Sequence, residues 1–180
     1  MAHRGHGSTG TAVLAGRGAG ANTSVASESM IASATSSGLG YLRSGSDEGA
    51  EAVVGGDRYG DRGYFVQPTV LANTNRDMKV EREEIFGPVV CAIPFDSSEE
   101  IVPAANNTNY GLAAGVFTRD LSKAHRTAAR LRAGTVWVNT YHVFDAAMPF
   151  GGYKESGWGR EMGHQVLNNY LETKAVCVAL

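Results

Sequence analysis

Cysteine is nearly missing from this chain: only Cys91 and Cys177 occur in 180 residues. No CxxC pair and no secretory leader accompany them, which excludes a disulfide scaffold and points to reduced intracellular thiols. Each sits in an apolar, strand-like stretch, Val-Val-Cys-Ala-Ile and Ala-Val-Cys-Val-Ala, and reads as a small core residue rather than a nucleophile. Long apolar runs are also missing. Nothing approaches the roughly 18 residues of a membrane span, so no membrane partner is expected. Charge of one sign is lacking too: 16 Lys and Arg stand against 18 Asp and Glu, mixed along the chain, for a net charge of -2. That balance gives no attraction to nucleic acid or an anionic surface. Neither a Gly-x-Ser-x-Gly elbow nor a GxxxxGK[ST] loop is present, which removes the usual serine-hydrolase and phosphate-cradle readings. The five histidines are scattered. Glu161 and His164 have i,i+3 spacing but no further ligands, so no metal site is expected.

Residues 1–38 lack aromatics altogether, and Gly, Ala, Ser and Thr fill 26 of these 38 positions. Such a stretch offers little apolar area to offset its ordering entropy, and disorder is the expectation. The run Thr11 to Gly20 imitates a strand entering a glycine-rich nucleotide loop, but its glycine spacing does not fit a dinucleotide fingerprint. Arg4 and Arg17 against the single acid Glu28 also suit an organellar transit peptide. The location expected is therefore cytoplasmic, or mitochondrial or plastid if these residues are a transit peptide. A non-native leader is the third reading.

From about Leu39 the texture is that of an α/β protein. Tyr41 to Glu51 reads as a short helix and Val53-Val54 as a short strand. Tyr64 to Val66 and Val70-Leu71 read as extended backbone around Pro68. Val89 to Phe95 is a continuous apolar run, the pattern of a strand buried on both faces. Ser97 to about Asn106 reads as a helix, with Pro103 expected to kink or shorten it. Ala113 to Thr118 is a strand. Asp120 to Ala133 is a helix capped by Asp120, with Leu121, Ala124, Ala128 and Leu131 on one face and Gly134 as the stop. Thr135 to Asn139 is the next strand. Helices between strands imply parallel βαβ units, whose binding chemistry gathers beyond the strand C-termini. The last eleven residues, Tyr170 to Leu180, read as an apolar strand that pairs within the domain or with a neighbouring subunit.

Two places can carry chemistry. In Glu83-Glu84-Ile85-Phe86-Gly87-Pro88-Val89, a carboxylate beside a ring at a strand entrance suits a ribose carrying a planar base; the alternative is a solvated acidic helix end. The loop from Thr140 to Arg160 carries Tyr141, His142, Phe144 and Phe150 among glycines. It forms either an apolar funnel for a small organic substrate or a packed surface loop.

Five pieces occur in a fixed order: Glu84-Ile-Phe-Gly-Pro-Val, Tyr110-Gly-Leu-Ala-Ala-Gly, Gly134-Thr-Val-Trp-Val-Asn139, Pro149-Phe-Gly-Gly-Tyr-Lys-x-Ser156-Gly and Asn169-Tyr-Leu-Glu-Thr-Lys-Ala-Val. From near Leu39 to Leu180 this series resembles the C-terminal part of NAD(P)-dependent aldehyde dehydrogenases. The resemblance implies an α/β fold: residues 39–180 as part of a catalytic domain with a parallel sheet, and residues 170–180 as an oligomerisation strand. It implies oxidation of an aldehyde to a carboxylic acid with NAD or NADP. A cysteine thiolate adds to the carbonyl, hydride passes to the nicotinamide, and water hydrolyses the thioester. Glu84 then matches the residue that bonds the nicotinamide ribose, and Phe86 the ring against the nicotinamide. Phe144 and Phe150 match aromatics of the aldehyde tunnel. The partners implied are a small aldehyde and further subunits, in a homo- or hetero-oligomer.

The departures are as informative. The family's Rossmann domain, general-base glutamate, oxyanion-hole asparagine and Gly-Gln-x-Cys nucleophile belong ahead of the matching region, and residues 1–38 contain none of them. Cys91 and Cys177 lie outside the family's nucleophile motif. The chain is therefore expected to carry one wall of an active site and to be inactive alone. The alternative is a non-catalytic subunit that pairs with full-length relatives through its terminal strand.

Overall fold

The computed structural model describes residues 12–16 and 28–180, with side chains from residue 35 onward. In chain order the elements are β1 (Ala12–Gly16), α1 (Glu28–Asp47), β2 (Glu51–Val54), β3 (Thr69–Ala72), α2 (Lys79–Arg82), β4 (Val89–Cys91), α3 (Ser98–Asn106), β5 (Ala113–Phe117), α4 (Leu121–Arg130) and β6 (Thr135–Val138). Two short 3-10 turns, Lys154–Ser156 and His164–Asn169, follow. The chain forms two compact units, residues 19–95 and residues 1–18 with 96–180. Among the described residues no helix is long and apolar enough to cross a membrane.

In the 19–95 unit the sheet order is β2-β3-β4. β2 pairs antiparallel with β3, and β3 pairs parallel with β4 in the register Thr69↔Val89 to Leu71↔Cys91. The helix α1 ends at a local stop: Gly49 takes φ +100°, and Ala50 N–H donates to Gly45 O at 2.8 Å. Its inner side buries Leu42 against Leu71, Met78 and Val80, all 5 % exposed or less. Gly45 eases that approach, because a Cβ there would meet Val80 Cγ1 at 3.0 Å and the valine would have to give way.

In the other unit β5 is central, flanked by β1 and β6. β5 and β6 are parallel, Ala113↔Thr135 to Val116↔Val138, with α4 as the crossover. Ser97 caps α3 by accepting from Glu100 N–H at 3.3 Å, and Asp120 caps α4 by accepting from Lys123 N–H at 2.9 Å. The core is Ala114, Val116 and Leu131.

Several expectations meet a different outcome. Both β1 and the first turns of α1 fall inside the 1–38 stretch for which composition suggested no structure. Strand β1 is held by antiparallel pairing with the β5 edge, from Ala12↔Phe117 to Gly16↔Ala113, and α1 extends a helix whose later turns are buried. Residues 1–11 and 17–27, including most of the nucleotide-loop imitation, lie outside the described residues. The run Val89–Phe95 is not a doubly buried strand. β4 has three residues at the sheet edge, and Val90 and Ile93 are 46 % and 44 % exposed, because no described layer covers them. Pro103 does not shorten α3; the bond it cannot donate belongs to Glu99, on the exposed side. Helix α4 stops at Arg130 rather than Ala133. Asn106 draws its end away by donating Nδ2 to Arg130 O (2.9 Å) and accepting Arg132 N–H at Oδ1 (2.7 Å). Leu121 is 66 % exposed rather than packed with Ala124 and Leu131. Of the two pairings expected for Tyr170 to Leu180, the one within the domain is not seen: residues 171–180 pair with no strand among the described residues. The segment is exposed throughout, since a ladder needs a second strand and no described segment supplies one.

Candidate functional site

The acidic heptapeptide lies between α2 and β4. Lys79 to Arg82 make one helical turn that buries Val80. Glu83 is then used locally. Its carboxylate accepts from Tyr41 Oη at 2.8 Å and lies 3.8 Å from Lys79 Nζ, while Lys79 sits over the Tyr41 ring. Glu84 is half-buried, and the described residues give its carboxylate no hydrogen bond or ion pair. A tight turn follows: Gly87 N–H donates to Ile85 O, Val89 N–H to Gly87 O, and Pro88 O accepts Thr69 N–H at 2.8 Å. That turn holds Phe86 outward, 61 % exposed. The two carboxylates are thus divided, Glu83 as a brace and Glu84 as an acceptor open to a hydroxylic ligand. An open acceptor beside an exposed ring fits a ribose diol joined to a planar base.

The aromatic loop leaves β6 at Asn139. This residue has φ +55°, and its amide is fully engaged: Oδ1 accepts Thr118 N–H at 2.8 Å and Nδ2 donates to Thr118 O at 2.9 Å. It braces the ends of β5 and β6. The open hollow beside it is lined by Phe117, Thr118, Arg119, Leu121 and Asn139, and no ring of the 140–160 loop lines it. Those rings pack on Trp137 instead. Tyr141 and Phe144 meet Trp137 edge-on at 5.0 and 5.6 Å, and Trp137 Nε1–H donates to Val143 O at 2.8 Å. His142 stacks on Tyr141 at 4.4 Å. Phe150 meets Phe144 edge-on at 5.1 Å. The structure therefore brings Phe144 and Phe150 together, with Phe144 47 % exposed and Phe150 half-buried. Glu84 and Phe86 share the turn of the 19–95 unit, whereas Phe144 and Phe150 belong to the other unit.

Beyond the rings the chain returns to the start of the sheet. Gly134 is packed so tightly that a Cβ would lie 1.6 Å from Gly151 O. Gly111 O accepts from both Gly134 N–H (3.0 Å) and Tyr153 N–H (2.8 Å), and Ser156 Oγ accepts Gly111 N–H at 3.0 Å. The glycines of the loop thus serve close backbone packing. Two carboxylates are held below the ordinary range. Glu48 is lowered by the Ser44 hydroxyl and then by Lys79 N–H; Glu99 by its own backbone amide and then by Ser98. Both are exposed braces. Among the described residues no group of three or more His, Cys, Asp and Glu gathers; Cys91 is half-buried and Cys177 exposed. Lys154 and Asn106 carry no local spacing signal for their bracing roles, because their partners lie tens of residues away.

Known proteins resemble this chain in sequence and fold. The model of the aldehyde dehydrogenase family matches residues 20–176, starting upstream of Leu39, where the ordered motifs begin. A putative aldehyde dehydrogenase of Bacillus subtilis, DhaS, is 56 % identical over 142 residues, which is 79 % of this chain and 29 % of that protein. The mitochondrial aldehyde dehydrogenase family 2 member B4 of Arabidopsis thaliana is 55 % identical over 140 residues, 78 % of this chain and 26 % of that one. Among solved structures, an NAD+ complex of the Bacillus cereus aldehyde dehydrogenase superposes with a TM-score of 0.77 at 51 % identity, covering 80 % of this chain and 29 % of that one. Betaine aldehyde dehydrogenase of Staphylococcus aureus, also solved with NAD+, gives 0.75 at 42 % identity, over 79 % and 29 %. The chain thus spans less than a third of the length of these relatives, and it belongs to the aldehyde dehydrogenase family.

Proposed function

We propose that residues 39–180 are the C-terminal part of an aldehyde dehydrogenase catalytic domain and contribute cofactor-side and aldehyde-side residues to the oxidation of an aldehyde with NAD(P)+. The cofactor would supply the hydride acceptor. In this reading Glu84 accepts hydrogen bonds from the nicotinamide ribose hydroxyls and Phe86 covers the nicotinamide face. Phe144 and Phe150 form the aldehyde side, where packed rings exclude water and orient an apolar substrate. The observation that carries the reading is the turn Ile85–Gly87, which presents an uncommitted carboxylate and an exposed ring beside each other. The NAD+ complexes of the B. cereus and S. aureus relatives support it from outside.

The sequence holds no Gly-Gln-x-Cys motif, so we place the nucleophile, the general base and the Rossmann domain outside these 180 residues. Activity then belongs to a longer product or an assembly. Calorimetry of this chain with NAD+ is expected to show no saturable binding, and a micromolar affinity would overturn that division. The companion test reads the DNA upstream in all frames for the missing motif; an authentic start with no such sequence nearby refutes the reading.

A second reading is favoured by the tail. Residues 171–180 run exposed, with Val176 and Val178 78 % and 74 % open and no strand partner among the described residues. They suit strand addition to another subunit, as in a truncated chain that joins full-length relatives. Co-expression with a full-length relative would then yield a stable mixed oligomer; recovery of this chain only alone or aggregated refutes it. The compartment follows the leader: cytoplasmic, or organellar if the first residues are a transit peptide. Relatives described as mitochondrial lend that branch some support.

A further inference from the structure

We infer that Lys154 is a positioning residue for the aromatic wall. It holds Phe150, and through it Phe144, by clamping the loop onto the C-terminal end of α3. The inference rests on the reading of Phe144 and Phe150 as the aldehyde side. Lys154 Nζ donates to Asn106 O at 2.8 Å and to Thr108 O at 2.7 Å. Asn106 is the last residue of α3, where helix carbonyls lack intrahelical donors and the dipole is negative, so an ammonium group is favoured there. Bonds from a charged donor are the stronger kind, and these are short.

The backbone of Lys154 supports the same conclusion. Its φ is +55°, a conformation that a long side chain occupies only when its surroundings hold it. Those surroundings are Tyr153 N–H on Gly111 O, Glu155 N–H on Asn109 O at 3.0 Å, and Ser156 Oγ under Gly111 N–H. Asn106 is itself fixed, its amide joined to Arg130 O and Arg132 N–H at the end of α4. Lys154 is therefore tied to the junction where α3 and α4 both end.

From that anchor the position passes to the rings along a short rigid path. Gly151 and Gly152 separate Phe150 from Tyr153, and both are tightly packed: a Cβ on Gly152 would lie 2.5 Å from Ser156 O. Arg160 Nη1 donates to Gly152 O at 3.0 Å, and Phe150 exchanges two 2.7 Å backbone bonds with Glu161. Phe150 then touches Phe144, and Phe144 touches Trp137. Removing the ammonium group should release the 151–156 turn and let Phe150 and Phe144 shift against Trp137.

The chain has only two tryptophans, buried Trp137 and fully exposed Trp158, which makes the test simple. The full chain is labelled with 5-fluorotryptophan and observed by fluorine NMR well below its unfolding midpoint. Lys154→Met is expected to shift or broaden the Trp137 resonance by more than Arg126→Gln, a change on the outer side of α4, while far-UV circular dichroism stays unchanged. Lys154→Arg, which keeps the charge and the donors, is expected to restore most of the native position. If Lys154→Met fails to fold, Lys154→Gln replaces it, with a smaller displacement of the same resonance expected. An unmoved Trp137 signal in a folded Met or Gln variant overturns the inference, as does an equal displacement by Lys154→Arg. The resonance reports ring positions whether or not aldehyde binds, so failure of the aldehyde-wall reading would leave this result standing.

Discussion

Asn139 is the position where a single change has the most calculable cost. Its amide satisfies both backbone groups of Thr118, a residue only 8 % exposed, through bonds of 2.8 and 2.9 Å. Replacement by alanine leaves that N–H and C=O without protein partners. Full burial would cost about 1–3 kcal/mol for each group, but Asn139 itself is exposed and water can reach part of the gap, so about 2 kcal/mol for the pair is reasonable. Alanine also meets φ +55°, which asparagine tolerates and alanine resists by about 1 kcal/mol. The expected loss for Asn139→Ala is therefore about 3 kcal/mol, and for Asn139→Gly, which accepts the backbone, about 2 kcal/mol. At roughly 2–4 °C per kcal/mol for a chain of this size, alanine should lower the thermal midpoint by about 6–12 °C. Urea titrations of the native, Ala and Gly proteins measure the order. A change below about 0.5 kcal/mol for alanine, or glycine less stable than alanine, would refute the assignment of Asn139 as a brace.

Gly134→Ala should be more damaging than a glycine-to-alanine change in an open helix, because the new Cβ would overlap Gly151 O at 1.6 Å and force apart the start of β6 and the returning loop; loss of the Trp137 near-UV signal would register it. Leu71→Ala empties the centre of the Leu42, Met78 and Val80 cluster and should cost about 2–5 kcal/mol in denaturant titration. The pH dependence has a definite sign at Glu48, whose carboxylate is held low by Ser44 and then Lys79 N–H. A depressed carboxylate adds stability that is present above its unfolded pKa and lost as pH falls through the folded one, so acidification should weaken the α1–α2 tie and Glu48→Gln should flatten that dependence.

Much of the residue 96–139 region was legible because its signals are local. Ser97 and Asp120 each precede their helix by one residue and cap it with a side-chain oxygen. The run Thr135–Val138, β-branched but for Trp137, and the apolar run Ala113–Phe117 pair with each other across the single crossover α4. Features that depend on distant chain were not legible. The apolar run at Val89–Phe95 promised burial that described residues do not provide, and the strand pattern at 171–180 requires a second strand. α4 ends early because Asn106, 24 residues from Arg130, takes its last carbonyl. At the candidate site, composition could not divide Glu83 from Glu84; the division depends on Tyr41 and Lys79 reaching Glu83 first. The rings at 141–150 were visible, but their packing on Trp137 was not.

We propose that this chain contributes a nicotinamide-side turn and, separately, an aldehyde-side ring pair to an NAD(P)-dependent aldehyde dehydrogenase. The direct measurement replaces the matching segment of the Bacillus cereus enzyme with residues 39–180 of this chain and follows aldehyde-dependent NADH formation. The 51 % identity and the TM-score of 0.77 make the exchange structurally reasonable. An active chimera is expected, in which Glu84→Gln raises the KM for NAD+ and Phe144→Ala raises that for the aldehyde. A folded, correctly assembled chimera without activity, or one whose NAD+ dependence ignores Glu84→Gln, would contradict it.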